Sequence, residues 1–129
     1  MRQNSPNYGN RSSSHDKGDV GEDVAASYLR QKGFEIIARN WRIAGGELDI
    51  VARKDNIIAF VEVKTAYNLR YGNPLEWVNK AKQRQIGKMA SMWIEKMQPQ
   101  GCFFRFDVIA LIKQDSGFSV CHVEDAFSL

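Results

Sequence analysis

Cysteine, histidine and long apolar runs are scarce in this chain of 129 residues. Its 2 cysteines, Cys102 and Cys121, cannot build a disulfide framework or a four-ligand zinc site, so a reducing, cytoplasmic location is the expectation. The 2 histidines, His15 and His122, do not have the spacing of zinc ligands. No stretch approaches about 18 consecutive apolar residues, which excludes a helical membrane span. The absence of Walker, GxSxG and HExxH motifs argues against the enzyme classes that these motifs mark.

The composition is that of one globular domain preceded by a polar arm. Residues 1–17 are rich in serine, asparagine and arginine, and they lack the apolar segment that a secretory signal needs. Because they can bury little surface to offset their ordering entropy, we predict a flexible N-terminal arm over 1–17. Residues 18–129 are long enough for a single domain with one hydrophobic core, and too short for two domains.

Apolar periodicity divides that domain into two helices and five strands. The helices are predicted over residues 19–32 and 79–97, and the strands over 34–39, 47–53, 57–64, 104–112 and 118–123. The order is therefore α-β-β-β-α-β-β. Since a run of strands separates the helices, this order predicts a mixed α/β fold and not a doubly wound parallel sheet.

Positive charge is concentrated in one segment of the chain. Residues 64–88 carry a net charge of +5, which exceeds the +3 of the whole molecule. The basic residues of this segment are Lys64, Arg70, Lys80, Lys82, Arg84 and Lys88. Such a patch favours an anionic partner, and nucleic acid is the natural candidate. A solvated helix face without a partner is the alternative.

Acidic residues in the two middle strands point to a reactive site. A two-residue turn at positions 55–56 would fix the register of these strands. In that register Asp49 stands opposite Glu62. Glu47 likewise stands opposite Lys64. Because directly opposed carboxylates repel each other, we expect a cation between them, either a divalent metal ion or the Lys64 ammonium. A surface ladder of salt bridges is the alternative.

A cluster of this kind suits phosphodiester hydrolysis. Hard carboxylate oxygens bind Mg²⁺, which lowers the pKa of a bound water and neutralises charge on the transition state. A lysine beside the metal ion, here Lys64, can orient the attacking water or stabilise the developing negative charge.

These residues resemble the PD-(D/E)xK nuclease motif, because Asp49 is followed after 12 residues by Glu62-Val63-Lys64. Leu48 stands where the motif has its proline. A wider set of segments is similar to the YraN family, bacterial proteins inferred to be endonucleases and related in fold to archaeal Holliday-junction resolvases. The segments are GEDVAASYL (21–29), RNWR (39–42), GGELDIVAR (45–53), FVEVKT (60–65), YGNP (71–74), KQ (82–83) and FRFDVIA (104–110). The resemblance covers about residues 18–125.

The resemblance implies a restriction-endonuclease-like core, in which helices flank a central mixed sheet. It also implies a catalytic site made of Glu22, Asp49, Glu62 and Lys64. Mg²⁺ or Mn²⁺ would be held by Asp49, Glu62 and the backbone carbonyl of Val63. For Glu22 a simpler role is open, since an acid near the start of a helix also complements the helix dipole.

Several basic and polar residues are candidates for contact with nucleic acid. Lys80, Arg84 and Lys88 recur at four-residue steps on the polar side of the second helix. Lys82 and Gln83 lie nearer its apolar side, and the resemblance also places a Lys-Gln pair here; snorkelling of Lys82 to water is the alternative. The family usually has arginine where this chain has Ala66, and Arg70 is the nearest arginine. The predicted nucleic-acid-binding residues are therefore Arg70, Lys80, Lys82, Gln83, Arg84 and Lys88.

The sequence thus predicts a metal-dependent endonuclease that hydrolyses phosphodiester bonds in DNA, with branched or structured DNA among the candidate substrates. The alternative is a non-catalytic nucleic-acid-binding module that has kept a nuclease-like fold. The expected partner is nucleic acid, most of all DNA, and no membrane. The oligomeric state is open, with a homodimer among the alternatives.

Overall fold

The structure is a computed structural model that describes residues 13–67 and 74–129. Its elements are α1 (Ser13–Gln31), β1 (Glu35–Ile43), β2 (Gly46–Lys54), β3 (Ile57–Ala66), a 3-10 turn (Pro74–Trp77), α2 (Lys80–Met97), β4 (Phe103–Gln114) and β5 (Gly117–Phe127). The predicted order and mixed α/β class are confirmed. In these two ranges, neither helix is long and apolar enough to cross a membrane.

Several element boundaries differ from those predicted. The first helix begins at Ser13 and not at residue 19, so the end of the predicted arm is helical, while residues 1–12 lie outside the described residues. Strand β1 continues to Ile43 and β5 to Phe127, four residues past each predicted end. The apolar pattern stops earlier than the strands do, because β1 stays paired with β2 through Arg42, and β5 pairs again with β4 at Phe127 after an irregularity that follows Val123.

Five strands form one sheet in the order β1-β2-β3-β4-β5. Only β3 and β4 are parallel, and helix α2 lies between them in the chain. A parallel pair needs such a crossover, whereas the antiparallel pairs are joined by short turns. The predicted register of β2 and β3 is confirmed from the pair Lys54–Ile57 to the pair Ile50–Val61.

The two helices cover opposite faces of the sheet. The α1-side core contains Ala25, Ala26, Leu29, Phe34, Ile50, Ala52, Ala59, Val61, Ile109 and Leu111. The α2-side core contains Leu48, Val51, Ile58, Phe60, Val78, Ile86, Met89, Ala90, Trp93 and Val108. Since alternate residues of β3 fall into the two cores, this central strand is buried on both faces, as its continuous apolar run indicates.

Strand β2 departs from simple alternation beside Asp49. Strict alternation along β2 predicts Leu48 on the same face as Ile50 and Ala52. The structure differs, because Leu48 packs in the α2-side core while Ile50 and Ala52 pack in the α1-side core. Leu48 therefore shares a face with Val51, three positions away. A regular strand cannot do this, so the backbone changes phase in the segment that contains Asp49.

Close packing at Gly21 brings the middle of α1 against the end of β3. A Cβ atom at Gly21 would lie 2.7 Å from the Thr65 Oγ1, so a side chain there would force one of the two elements to move. Glu22 is the next residue of the helix. The close approach therefore holds Glu22 near the end of the sheet where the acidic residues of β2 and β3 lie.

Candidate active site

Three carboxylates that the sequence singled out are buried in the structure. Glu22 is 8% exposed, Asp49 9% and Glu62 5%. They come from three separate elements, α1, β2 and β3. Ionised groups are seldom buried to this degree unless a counter-charge or hydrogen bonds compensate for the lost water. The neighbours of each carboxylate therefore decide what the site can do.

Asp49 lies where β2 and β3 stop pairing. The paired residues end at Ile50 and Val61, one position before Asp49 and Glu62. The Asp49 Oδ2 instead accepts a hydrogen bond from the Val63 N–H at 2.9 Å. Asp49 and Glu62 are thus close, as the register predicts, but they are not a regular cross-strand pair. The role of the Val63 carbonyl as a metal ligand stays a prediction.

Glu47 joins Asp49 in a group that the sequence reasoning did not assign to the site. Carboxylate oxygens of Glu22, Glu47 and Asp49, called the acidic cluster below, all lie within 4.8 Å of one another. The expected pairing of Glu47 with Lys64 is wrong, because Glu47 Oε1 accepts a hydrogen bond from Arg42 Nε at 2.7 Å. The two-residue spacing of Glu47 and Asp49 was the signal that could have identified Glu47.

Two lysines flank the Glu62 carboxylate. Lys64 Nζ lies 3.8 Å from Glu62 Oε2, and Lys82 Nζ lies 3.6 Å from the same oxygen. Lys82 lies in the first turn of α2, where the side chain of the N-cap residue Asn79 accepts a hydrogen bond from the Lys82 N–H at 2.8 Å. Both ammonium groups are partly exposed, at 37% for Lys64 and 32% for Lys82, so they can meet an anion that arrives from solvent.

Electrostatics in the acidic cluster favour added positive charge. Burial, together with the nearby Glu47 carboxylate, raises the pKa of Glu22 to about 7, although Arg39, Asn40 and Arg42 act in the opposite direction. Burial also raises the pKa of Asp49 well above its usual value, and the Glu62 charge adds to the rise. The Val63 N–H opposes this rise only in part. A bound cation would act against both shifts, because its positive charge favours the ionised carboxylates.

One oxygen of Glu22 has no hydrogen-bonding partner. Among the described residues, Glu22 Oε1 and Arg39 Nε are the buried side-chain atoms that lack one. The Arg39 guanidinium donates to Asp23 Oδ1 at 2.7 Å, and its Nη2 is 3.9 Å from Glu22 Oε1, too far for a hydrogen bond. An unpaired, buried carboxylate oxygen beside two further carboxylates is what a hard divalent cation would satisfy.

The predicted nucleic-acid contacts fall into four groups. Lys80, Arg84 and Lys88 are exposed on α2. Gln83 is used elsewhere, because its Nε2 donates to the Val78 carbonyl at 2.9 Å and so fixes the segment before the helix. Arg70 lies outside the described residues. Together with Lys82, which reaches Glu62, the exposed residues of α2 extend the positive charge away from the acidic site.

Comparison with known proteins supports the resemblance found in the sequence. A family model described as "Uncharacterised protein family UPF0102" matches residues 21–111. A UPF0102 protein of Trichlorobacter lovleyi is 49% identical over 114 residues, which cover 87% of this chain and 90% of that protein. A UPF0102 protein of Pelobacter propionicus is 44% identical over 131 residues, which cover 99% and 94%. One of Chloroherpeton thalassium is 42% identical over 118 residues, which cover 85% and 92%.

Proposed function

The chain belongs to the UPF0102 family, also described as the YraN family, and from its acidic site we propose that it is a metal-dependent endonuclease acting on DNA. The observation that carries the proposal is the meeting of the acidic cluster with Glu62, Lys64 and Lys82 at one end of the sheet. Carboxylates that hold a cation, next to ammonium groups that hold an anion, are the combination that a phosphodiester substrate requires.

The residues present fit a divalent cation. Glu22, Glu47 and Asp49 offer only carboxylate oxygens, the ligands that Mg²⁺ and Mn²⁺ prefer, and the unpaired Glu22 Oε1 supplies a ready acceptor. Glu62 stands beside them as the fourth candidate ligand. When bound, the cation would supply positive charge at the phosphate and lower the pKa of water.

The two lysines would act on different parts of the substrate. Lys64 follows Glu62 by two positions on β3 and reaches the same carboxylate oxygen as Lys82. We infer that Lys64 stabilises negative charge that develops on the phosphate during attack, because β3 places its Nζ 3.8 Å from Glu62 Oε2. Lys82, at the first turn of α2, would hold the phosphate in place together with the positive end of the helix dipole.

The basic residues of α2 suggest the path that a bound DNA backbone would take across the protein surface. Lys80, Arg84 and Lys88 are exposed and spaced by about one helical turn, so they form a row on the solvent side of α2, around the helix from Lys82. A phosphate backbone that passes from Lys82 around α2 would meet this row, where each contact releases counterions from the nucleic acid. A cytoplasmic location is part of the same proposal, since both cysteines are free thiols.

A cleavage panel tests the proposal directly. Labelled linear, nicked, flapped and four-way DNA are incubated with Mg²⁺ or Mn²⁺ and purified protein. We expect metal-dependent cleavage of at least one substrate. Asp49→Asn should abolish it, because this variant removes a carboxylate that belongs to the acidic cluster and also interacts with Glu62. Glu95→Gln, an exposed change on α2, is the matched control and should cleave like the wild type. DNA binding without any cleavage would favour the non-catalytic binding module instead.

Neutralising the row on α2 should weaken DNA binding for all sequences alike. In Lys80→Gln/Arg84→Gln/Lys88→Gln, the slope of log affinity against log salt concentration should shrink by up to about 3, near 0.9 for each lost phosphate contact. Fluorescence anisotropy over a range of salt concentrations measures this slope. A control variant that removes the same charge from other exposed positions is Arg30→Gln/Lys32→Gln/Lys113→Gln. Equal slopes in the two variants would show that the α2 row does not contact DNA.

A further inference from the structure

The members of the acidic cluster come from α1 and β2, but strand β1 places an arginine beside two of them. Arg42 Nε donates a hydrogen bond to Glu47 Oε1 at 2.7 Å. Arg39 Nη2 lies 3.9 Å from Glu22 Oε1. The third member, Asp49, accepts a hydrogen bond from a backbone N–H of β3 at 2.9 Å. The contact between Arg42 and Glu47 is therefore a direct link between β1 and the cluster.

A left-handed residue in β1 allows both arginines to lie on the side of the acids. Side chains three positions apart fall on opposite faces of a regular strand. Asn40, which lies between Arg39 and Arg42, has a φ of +52°, outside the strand region. As a result, Arg39 contacts acids of α1, whereas Trp41 packs against the α2-side core. Arg42 follows Trp41 and therefore lies on the face of Arg39 and of the acidic cluster.

Strand pairing fixes the contact between Arg42 and Glu47. The two residues are directly opposed in the register of β1 and β2, next to the turn that joins these strands. Their side chains are 57% and 33% exposed, so the guanidinium meets solvent while the carboxylate is more enclosed. In the described part of the chain, Arg42 is the hydrogen-bonding partner of the Glu47 carboxylate. The orientation of this carboxylate therefore depends on Arg42.

We propose that Arg42 is a positioning residue, which holds the Glu47 carboxylate beside Glu22 and Asp49 so that the three can bind one divalent cation. The inference rests on the proposed function and deepens it. A glutamate side chain loses rotamer freedom when it binds a metal ion, and a partner that orients it beforehand reduces this cost. Such partners contribute to affinity without touching the metal ion.

Removing the guanidinium should weaken metal binding. We expect Arg42→Ala to bind Mn²⁺ about tenfold more weakly than wild type, as measured by isothermal titration. Loss of a nearby positive charge alone would strengthen the binding of a cation, so the direction of the change distinguishes positioning from simple electrostatics. Arg42→Lys keeps a cationic donor for Glu47 and should restore the affinity to within about threefold of wild type. Equal or tighter Mn²⁺ binding by folded Arg42→Ala, or no recovery in Arg42→Lys, would overturn the proposal.

A matched control and a double mutant locate the effect. Arg53→Ala removes an arginine at the other end of β2, where its Nε donates to the Asp55 carbonyl at 3.0 Å, and should leave Mn²⁺ affinity unchanged. If Arg42 acts through Glu47, adding Arg42→Ala to Glu47→Ala should weaken Mn²⁺ binding no further. A further loss in the double mutant would overturn this route.

The remaining measurements separate this proposal from loss of folding and from failure of the proposed function. Arg42→Ala should melt close to the wild-type temperature, because an exposed ion pair contributes little to stability. Loss of Mn²⁺ binding in Asp49→Asn with no effect of Arg42→Ala would reject the positioning role alone. No Mn²⁺ binding by wild type would reject both proposals.

Discussion

Lys64→Ala should lower the rate of DNA cleavage by about 10²–10³-fold while most of the affinity for DNA remains. The reason is that Lys64 is expected to act on charge that exists only in the transition state. The variant should also stay folded, because Lys82 Nζ still neutralises Glu62 at 3.6 Å and Glu47 is paired with Arg42. Single-turnover cleavage, DNA binding and a thermal melt measure the three quantities.

Lys88→Ala is the matched control for Lys64→Ala. It removes the same charge from an exposed position on α2, so we expect a modest loss of DNA affinity and little change in the single-turnover rate at saturating protein. Cleavage at the wild-type rate by folded Lys64→Ala would remove Lys64 from the catalytic site. If Glu62→Ala also retained that rate, the cleavage would come from a contaminating nuclease.

The largest effect on stability is expected at Asp107, in Asp107→Ala. This carboxylate is fully buried on β4 and accepts hydrogen bonds from the Arg105 guanidinium at 2.9 and 3.0 Å and from the Asp125 N–H at 3.0 Å, while His122 Nε2 lies 2.8 Å away. Its removal leaves these partners without an acceptor. We expect a loss of about 3 kcal/mol in the free energy of unfolding, measured by urea denaturation, at the low end for a broken buried pair because Arg105 reaches solvent. Asp115→Ala, in the exposed β4–β5 turn, should change it little.

The contribution of Asp107 should depend on pH in a defined direction. Burial acts to raise the pKa of Asp107, but the hydrogen bonds from His122, Arg105 and the Asp125 N–H outweigh it, and the pKa is lowered. A lowered pKa means that the stabilisation is complete above the unfolded value of about 3.9 and is lost as the pH falls through the folded value. The difference in stability between wild type and Asp107→Asn should therefore narrow below about pH 4. A difference that stays constant down to acid pH would contradict the ionised state of Asp107.

Local patterns were enough to predict much of the architecture. The hairpin of β2 and β3 joins residues that are close in the chain, so turn composition and alternation predicted its register correctly as far as Ile50 and Val61. Pro99 and Gly101 likewise mark the end of α2 at Met97. Such patterns do not predict long-range packing: the apolar spacing of α2 favours a core position for Met97, but Met97 is 50% exposed.

The identity of the acids was readable from the sequence, but their partners were not. Glu22, Asp49 and Glu62 are singled out by charge in otherwise apolar segments, and all three are buried. Glu47 was paired with the wrong cation because the predicted register covers only the β2–β3 hairpin. Arg42, its actual partner, comes from β1 on the other side of β2. The Asp107 network was missed for the same reason, since Arg105, His122 and the Asp125 N–H meet only when β5 folds back on β4.

The sequence by itself determined the order of elements, the hairpin register and the residue types of the site, because these depend on neighbours in the chain and on side-chain period. Only the tertiary structure decided that Lys82 reaches Glu62 and that Glu47 completes the acidic cluster. Those contacts join different elements of the chain, and β2 changes phase beside the cluster. The left-handed conformation of Asn40 in β1 and the interrupted alternation of β2 at Asp49 are imposed by packing, so no periodic sequence pattern predicts them.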